Sequence, residues 1–472
     1  MPEAAFSQST GAEPREDPTV MAQPGIGLAA FDSLHAESEP WLDKCRILPP
    51  GFELMAGSRS YLVLGGEGSG KTALFQALRA CVEPALNPGE APDRLVVHWR
   101  PRSLPPERVG KAAAEGQLQN VLASCAEAVT TYLGGWPQGF QAAPSDTQAT
   151  LAWFVCHYLG PEADRRLAAY ARHTVTTGAS LLCSLPSMVD PDDWLNWAEP
   201  NEVIAELIKA LRAVGPQAVY ILVNPDDLGD TRYLSKDLEA FLSSLALFEN
   251  PYFVYKIILP EHLTQALKEP MAIDRRRIEL RLLKWSPEDL TEIVVARIRL
   301  ATGRAVDGLG DVCKDDTLVR WLIRTGGDSP RGWLQSAAPL MVCYLRRRRA
   351  LTVEEWHDIR QDPPPALRFD AEHGTITIGW RRVELTDVPL VLFTHLYENR
   401  DRGCSRESLY IEAYLPATEP GKSLKKAKYT PKCDHLLDSA MSRLRKAIEP
   451  DPDAPLYILT VRGFGYQLRN VR

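Results

Sequence analysis

With 472 residues, 45% of them apolar, the chain is long enough for two or three domains, each with its own core. A formal net charge of −7 excludes a wholly basic nucleic-acid coat but leaves room for one local basic site. Nine cysteines run from Cys45 to Cys433 with no C-x-x-C pair, which fits free thiols in a reducing cytosol, not a disulfide scaffold or a zinc site.

No apolar run approaches the ~18 residues of a membrane span. The opening Met1-Pro2-Glu3-Ala4-Ala5-Phe6 lacks the basic start and apolar core of a secretion signal. A cytoplasmic location without a membrane partner is therefore expected. Residues 1 to 27 mix Pro, Gly, Ser, Glu and Gln with little periodicity and read as a disordered tail. Leu28 to Leu54 carries aromatics and a Leu48-Pro49-Pro50-Gly51-Phe52 turn.

The next segment is the most specific in the chain. An apolar strand, Tyr61-Leu62-Val63-Leu64, runs into Gly65-Gly66-Glu67-Gly68-Ser69-Gly70-Lys71-Thr72, and a helix opens at Ala73. Strand, glycine-rich loop and helix form the context of a phosphate-binding loop. The glycines let backbone N–H groups converge on phosphate oxygens, and the helix start adds a positive dipole end. Gly65 through Gly70 are the expected cradle, Lys71 reaches the β/γ-phosphates and the Thr72 hydroxyl holds Mg²⁺. The expected cofactor is ATP or GTP with magnesium.

Further strands are expected at residues 94–99, 218–223 and 252–259. Between the first two, residues from about 105 to 214 read as a helical insertion, with helices over 118–133 and 163–173 and several tryptophans, Trp136, Trp153, Trp194 and Trp197. Continuous apolar strands alternating with helices imply a parallel sheet buried on both faces. A magnesium-dependent NTPase needs a carboxylate at the end of a neighbouring strand. The candidate is Asn224-Pro225-Asp226-Asp227. Asn224, placed against the nucleotide, stands where a metal-side aspartate is usual and is the poorer Mg²⁺ partner. Asp227 is then the residue that aligns water or holds the metal, with Asp226 beside it. An ordinary acidic turn has the same composition. These residues argue for nucleotide binding more strongly than for fast hydrolysis.

Residues 28–285 are thus expected to form the nucleotide domain and 286–360 a helical lid, opened by Ser286 as N-cap and Pro287 at the first helical position. Within the lid, Thr325-Gly326-Gly327-Asp328-Ser329-Pro330-Arg331 resembles the second-sensor segment of AAA+ and STAND-type ATPases. That resemblance covers roughly residues 30 to 350 and implies that Arg331 reaches the γ-phosphate from the lid. The planar, permanently charged guanidinium suits that task.

Gln361-Asp362-Pro363-Pro364-Pro365 reads as a stiff linker, and residues 366–472 as a separate small domain. Leu437, Met441, Leu444 and Ile448 recur on one helix face. The other face carries His435, Ser439, Ser442, Arg443 and Lys446, groups suited to base edges and phosphates. Ahead of them lie Lys422, Lys425, Lys426, Lys428 and Lys432; eight Lys/Arg against Asp434 and Asp438 give residues 421–447 a local +6. A final segment reads Thr460-Val461-Arg462-Gly463-Phe464-Gly465-Tyr466. With the helix closing on Arg443-Leu444-Arg445-Lys446, it resembles the winged-helix output domain of OmpR/PhoB-type response regulators. The resemblance implies that the helix enters the major groove of double-stranded DNA and that Arg462, on the wing, enters the minor groove. It also makes RNA polymerase a candidate contact of the loop 415–431, which is longer than usual.

The expected fold is therefore an α/β P-loop NTPase with helical insertion and helical lid, followed by a C-terminal α+β winged helix-turn-helix domain. The expected function is a transcriptional regulator whose ATP state sets oligomerisation and DNA affinity, with a second copy or a partner protein in the assembly. The alternative is a STAND-like ATPase of a defence or mobile-element system that recruits DNA or an effector through its winged helix.

Overall fold

The computed structural model describes residues 26–32, 34–83, 91–101, 111–173, 178–228, 250–263, 278–359, 367–371, 373–378, 381–400, 402–414, 431–449, 452–453 and 455–471. The expected linker, most of the expected tail and the lysines at 422, 425, 426 and 428 lie outside these residues. So do the loop 415–430 and the side chains of Asp227 and Lys432.

Five parallel strands form the first sheet in the order β2-β3-β4-β1-β5. They are β1 (Ser60–Gly65), β2 (Arg94–Trp99), β3 (Ala218–Val223), β4 (Phe253–Pro260) and β5 (Ile278–Leu282). β1, β3 and β4 are buried almost without interruption, the pattern of a sheet covered on both faces. The period of two still divides their side chains. Leu62, Leu64, Val219, Ile221 and Val223 face the insertion helices, whereas Tyr61, Val63, Tyr220 and Leu222 face the helix that follows the glycine-rich loop. That helix is α1 (Lys71–Val82). β5 is a strand that sequence reasoning missed. It is an edge strand in which Glu279 and Arg281 alternate with Leu280 and Leu282, so it lacks the apolar run of its neighbours.

The insertion is helical and packs on one face of the sheet: α2 (Lys111–Gly135), α3 (Ser145–Leu159), α4 (Ala163–His173) and α5 (Pro200–Val214). After β5 come α6 (Pro287–Thr302), α7 (Leu318–Gly326), α8 (Pro330–Arg347) and α9 (Val353–Ile359), with a core of their own around Trp333 and Trp356. Ser286 caps α6 in a reciprocal box with Asp289: Asp289 N–H donates to Ser286 Oγ and Ser286 N–H to the Asp289 carboxylate, both at 3.1 Å. Ala30 and Phe31 belong to this lid core, and the N–H groups of Ile26 and Gly27 donate to Leu300 O and Ala301 O. The amino-terminal segment is thus lid-bound from residue 26, which sequence reasoning had given to the tail and the nucleotide domain.

The C-terminal domain has a third core. An antiparallel sheet of β6 (Leu367–Asp370), β7 (Thr375–Ile378) and β8 (Arg381–Glu384) precedes α10 (Asp387–Glu398). Then follow β9 (Cys404–Ser405), α11 (Arg406–Tyr414), α12 (Pro431–Ile448) and the hairpin β10 (Ile458–Val461) and β11 (Gly465–Leu468), with β9 pairing to β11. The molecule is therefore a mixed α/β protein with a parallel sheet and a C-terminal winged-helix domain. No described helix is long and apolar enough to cross a membrane.

Candidate functional site

β1 ends at Gly65, and the chain reverses through Gly66 to Gly70 so that α1 starts at Lys71. Gly68 and Gly70 hold φ of 72° and 89°, in the left-handed region that glycine enters without steric cost. At Gly68 there is also no space: a Cβ would lie 2.9 Å from Arg331 Cβ. Lys71 Nζ donates to Gly65 O at 3.1 Å and Gly66 O at 2.7 Å. Burial pulls the Lys71 ammonium below its usual pKa, and Asp226 opposes that pull. Trp285 Nε1 donates to Ser69 O at 2.8 Å, which fixes the loop from the lid side. The Ser69 hydroxyl is buried with no hydrogen-bond partner among the described residues.

β3 delivers the carboxylate. Asn224 Oδ1 accepts from Asp226 N–H at 3.2 Å and caps a short 3₁₀ turn, Pro225–Asp227. The turn swings Asp226 back over α1, where Thr72 Oγ1 donates to Asp226 Oδ2 at 2.7 Å. Asn224 thus serves as a cap, and Asp226 meets Thr72; the Asp227 side chain lies outside the described residues. Desolvation raises the Asp226 pKa; the Thr72 hydroxyl counters it, and the neighbouring Glu37 carboxyl adds to it.

Arg331 approaches the loop through its backbone as well as its side chain. Its N–H donates to Gly68 O at 3.2 Å and its Nε to Leu34 O at 3.2 Å. Ser329 caps α8 by accepting from Gly332 N–H at 3.0 Å, which sets Arg331 in the first turn.

Residues 34–49 form a strap that sequence reasoning did not assign to the site. Gln76 Nε2 donates to Ala36 O at 3.2 Å, tying the strap to α1. Arg297 of α6 donates from Nη2 to Glu39 Oε2 at 2.6 Å and from Nη1 to Ala30 O at 3.3 Å, and lies 4.7 Å over the Trp41 ring. The Glu39 and Arg297 side chains are 1% and 7% exposed. Burial raises the Glu39 pKa, with Arg297 as the main opposing influence. No periodicity marks this segment, so its role was invisible in the sequence.

Strap, loop and lid together line a cavity of about 280 Å³. One end is polar, with Glu67, Lys71, Thr72, Asp226 and Arg331. The other is apolar, with Ile47, Leu48 and Pro49 from the strap and Ile293 and Leu334 from the lid.

The second site lies in the C-terminal domain. Leu437, Met441, Leu444 and Ile448 are buried, and His435, Ser439, Ser442, Arg443 and Lys446 are exposed on the opposite side of α12. The acids on this helix are occupied: Arg406 Nε donates to Asp434 and Nη2 to Asp438, each at 2.6 Å, and Tyr466 OH donates to Asp438 at 2.9 Å. Arg445, one of the eight cations in the local +6, donates to Ile458 O at 2.7 Å and Thr460 Oγ1 at 2.8 Å, locking helix to hairpin. Glu449 is buried and accepts from the N–H groups of Leu456, Tyr457 and Ile458, which sets the hairpin's start. The hairpin turns at Gly463, φ 72°, and leaves Arg462 exposed at its tip.

Residues 381–468 match the family described as "Transcriptional regulatory protein, C terminal". The C-terminal domain is a winged-helix DNA-binding domain of the OmpR/PhoB type. Protein PetR of Rhodobacter capsulatus is 31% identical over 102 residues, which are 22% of this chain and 40% of PetR. The chain thus spans less than half the length of that relative. Response regulator DrrB of Thermotoga maritima, an OmpR/PhoB homologue, aligns over 59% of this chain and 75% of its own at 17% identity. The TM-score of that alignment is 0.18. The parallel-sheet domain and its cavity lie outside residues 381–468.

Proposed function

We propose that the chain is a DNA-binding transcriptional regulator controlled by a nucleoside triphosphate. The observation that carries this reading is a cavity bordered at once by the glycine-rich loop, the strap and the lid that leads to the winged helix. Its polar end fits a polyphosphate. Glu67, Gly68 and Gly70 of the loop and Lys71 and Thr72 at the start of α1 border it, and the orphaned Ser69 hydroxyl lies within the loop. Lys71 would exchange the Gly65 and Gly66 carbonyls for phosphate oxygens, while the apolar end would take the base. Thr72 and Asp226 are the residues to hold Mg²⁺, which would neutralise phosphate charge there. Asn224 supplies no carboxylate, so the site favours holding a nucleotide over rapid turnover. Arg331 and Arg297 would report occupancy to the lid, since both link strap and lid across the cavity.

A lone winged helix reads few base pairs, so association of copies through the nucleotide domain would raise DNA affinity by avidity. A gel shift of the full chain with ATP, with ADP and without nucleotide tests the coupling. Tighter binding with ATP is expected; equal affinity in all three overturns it.

A further inference from the structure

The turn entering α5 presents two tryptophans that neither site uses. Trp194 and Trp197 are 56% and 73% exposed. The turn is well anchored. Asp193 Oδ1 accepts from Leu195 N–H at 2.9 Å, Asn196 Oδ1 accepts from the buried Trp153 Nε1 at 3.1 Å, and Leu195 is buried. The indoles are therefore held out by a rigid support, which makes them low-entropy anchors for a partner.

Charge says what kind of partner. No Lys or Arg occurs between Arg172 and Lys209, whereas Asp190, Asp192 and Glu199 flank the indoles and are exposed. Carboxylates around an exposed indole attract guanidinium and ammonium groups, and the ring face adds a cation–π contact.

This chain owns the complementary surface. The winged helix exposes Arg443, Lys446 and Arg462 beside two apolar groups, Leu436 at 50% and Phe464 at 48% exposure. We propose that the Trp194–Trp197 turn of one copy docks the winged-helix face of a second copy and competes with DNA for it. A second copy is the occupant because its exposed basic winged-helix face complements the acidic rim of this turn in charge.

The proposal rests on the DNA-binding reading of the C-terminal domain, and the test separates the two. Sedimentation of the full chain at about 50 mM and about 0.5 M salt is compared for three proteins. They are the wild type, Trp194→Ala with Trp197→Ala, and Arg443→Ala with Arg462→Ala. Wild type should associate at low salt and dissociate at high salt or on adding duplex, with each double variant at least about tenfold weaker in self-association. The tryptophan variant should also bind duplex more tightly than wild type. A wild type that stays monomeric at low salt, or undiminished association in either variant, overturns the proposal. A wild type that ignores duplex altogether overturns the DNA reading instead. The tryptophans are solvent-facing, so circular dichroism should report an unchanged fold.

Discussion

At Lys256 a cation lies inside the central strand β4, 1% exposed, with Nζ donating to Gly57 O and Arg59 O at 2.6 Å each and lying 5.2 Å over the Tyr61 ring. Burial pulls its pKa down to about 8. Unfolded, the same group titrates near 10.5, so between these values the unfolded chain binds more protons and stability rises with pH. From pH 7.5 to 9.5 the wild type should gain about 2 kcal/mol relative to Lys256→Met, read by urea unfolding of both proteins. A pH-independent difference would place the charge elsewhere. Lys71, by contrast, borders the cavity, and its pull on the loop carbonyls is exchangeable. Lys71→Ala should abolish ATP binding in equilibrium dialysis and leave the circular dichroism spectrum unchanged. Retained affinity would remove the glycine-rich loop from the proposed nucleotide site.

Among elements, the strap and α6 share a buried ion pair, Glu39 with Arg297. Removing one partner of such a pair leaves a buried charge uncompensated and costs about 3–5 kcal/mol. Arg297→Ala should therefore lower unfolding stability by that order, and proteolysis should begin in residues 34–49. On α12 the governing contact is different: Arg406 covers both acids of the DNA-facing helix. Arg406→Ala should weaken duplex binding about tenfold, roughly 1.4 kcal/mol, at low salt, with the deficit shrinking as salt screens the uncovered Asp434 and Asp438. A deficit that salt leaves unchanged would mean that Arg406 acts through packing on Tyr466.

For the whole molecule, a ligand that binds only when strap, loop and lid are assembled stabilises them together. At about 100 times its Kd, ATP should add ~2.7 kcal/mol to unfolding stability, seen as a higher melting temperature that Lys71→Ala abolishes. A melting temperature indifferent to ATP would argue against a cavity shared by the three elements.

Local chemistry was legible in the sequence. Gly65 to Thr72 named a strand–loop–helix, Ser286-Pro287 named a helix start, and the apolar face from Leu437 to Ile448 with the wing at Arg462 named the DNA-binding fold. Each is encoded within about a dozen consecutive residues, through period, capping or backbone freedom. Only tertiary structure decided what those pieces meet. Edge strand β5, the strap over the cavity and the contact of Asp226 with Thr72 all depend on contacts between residues far apart in the chain. Such contacts leave no period to read, because side-chain reach and burial select the partner after the sheet and lid have closed.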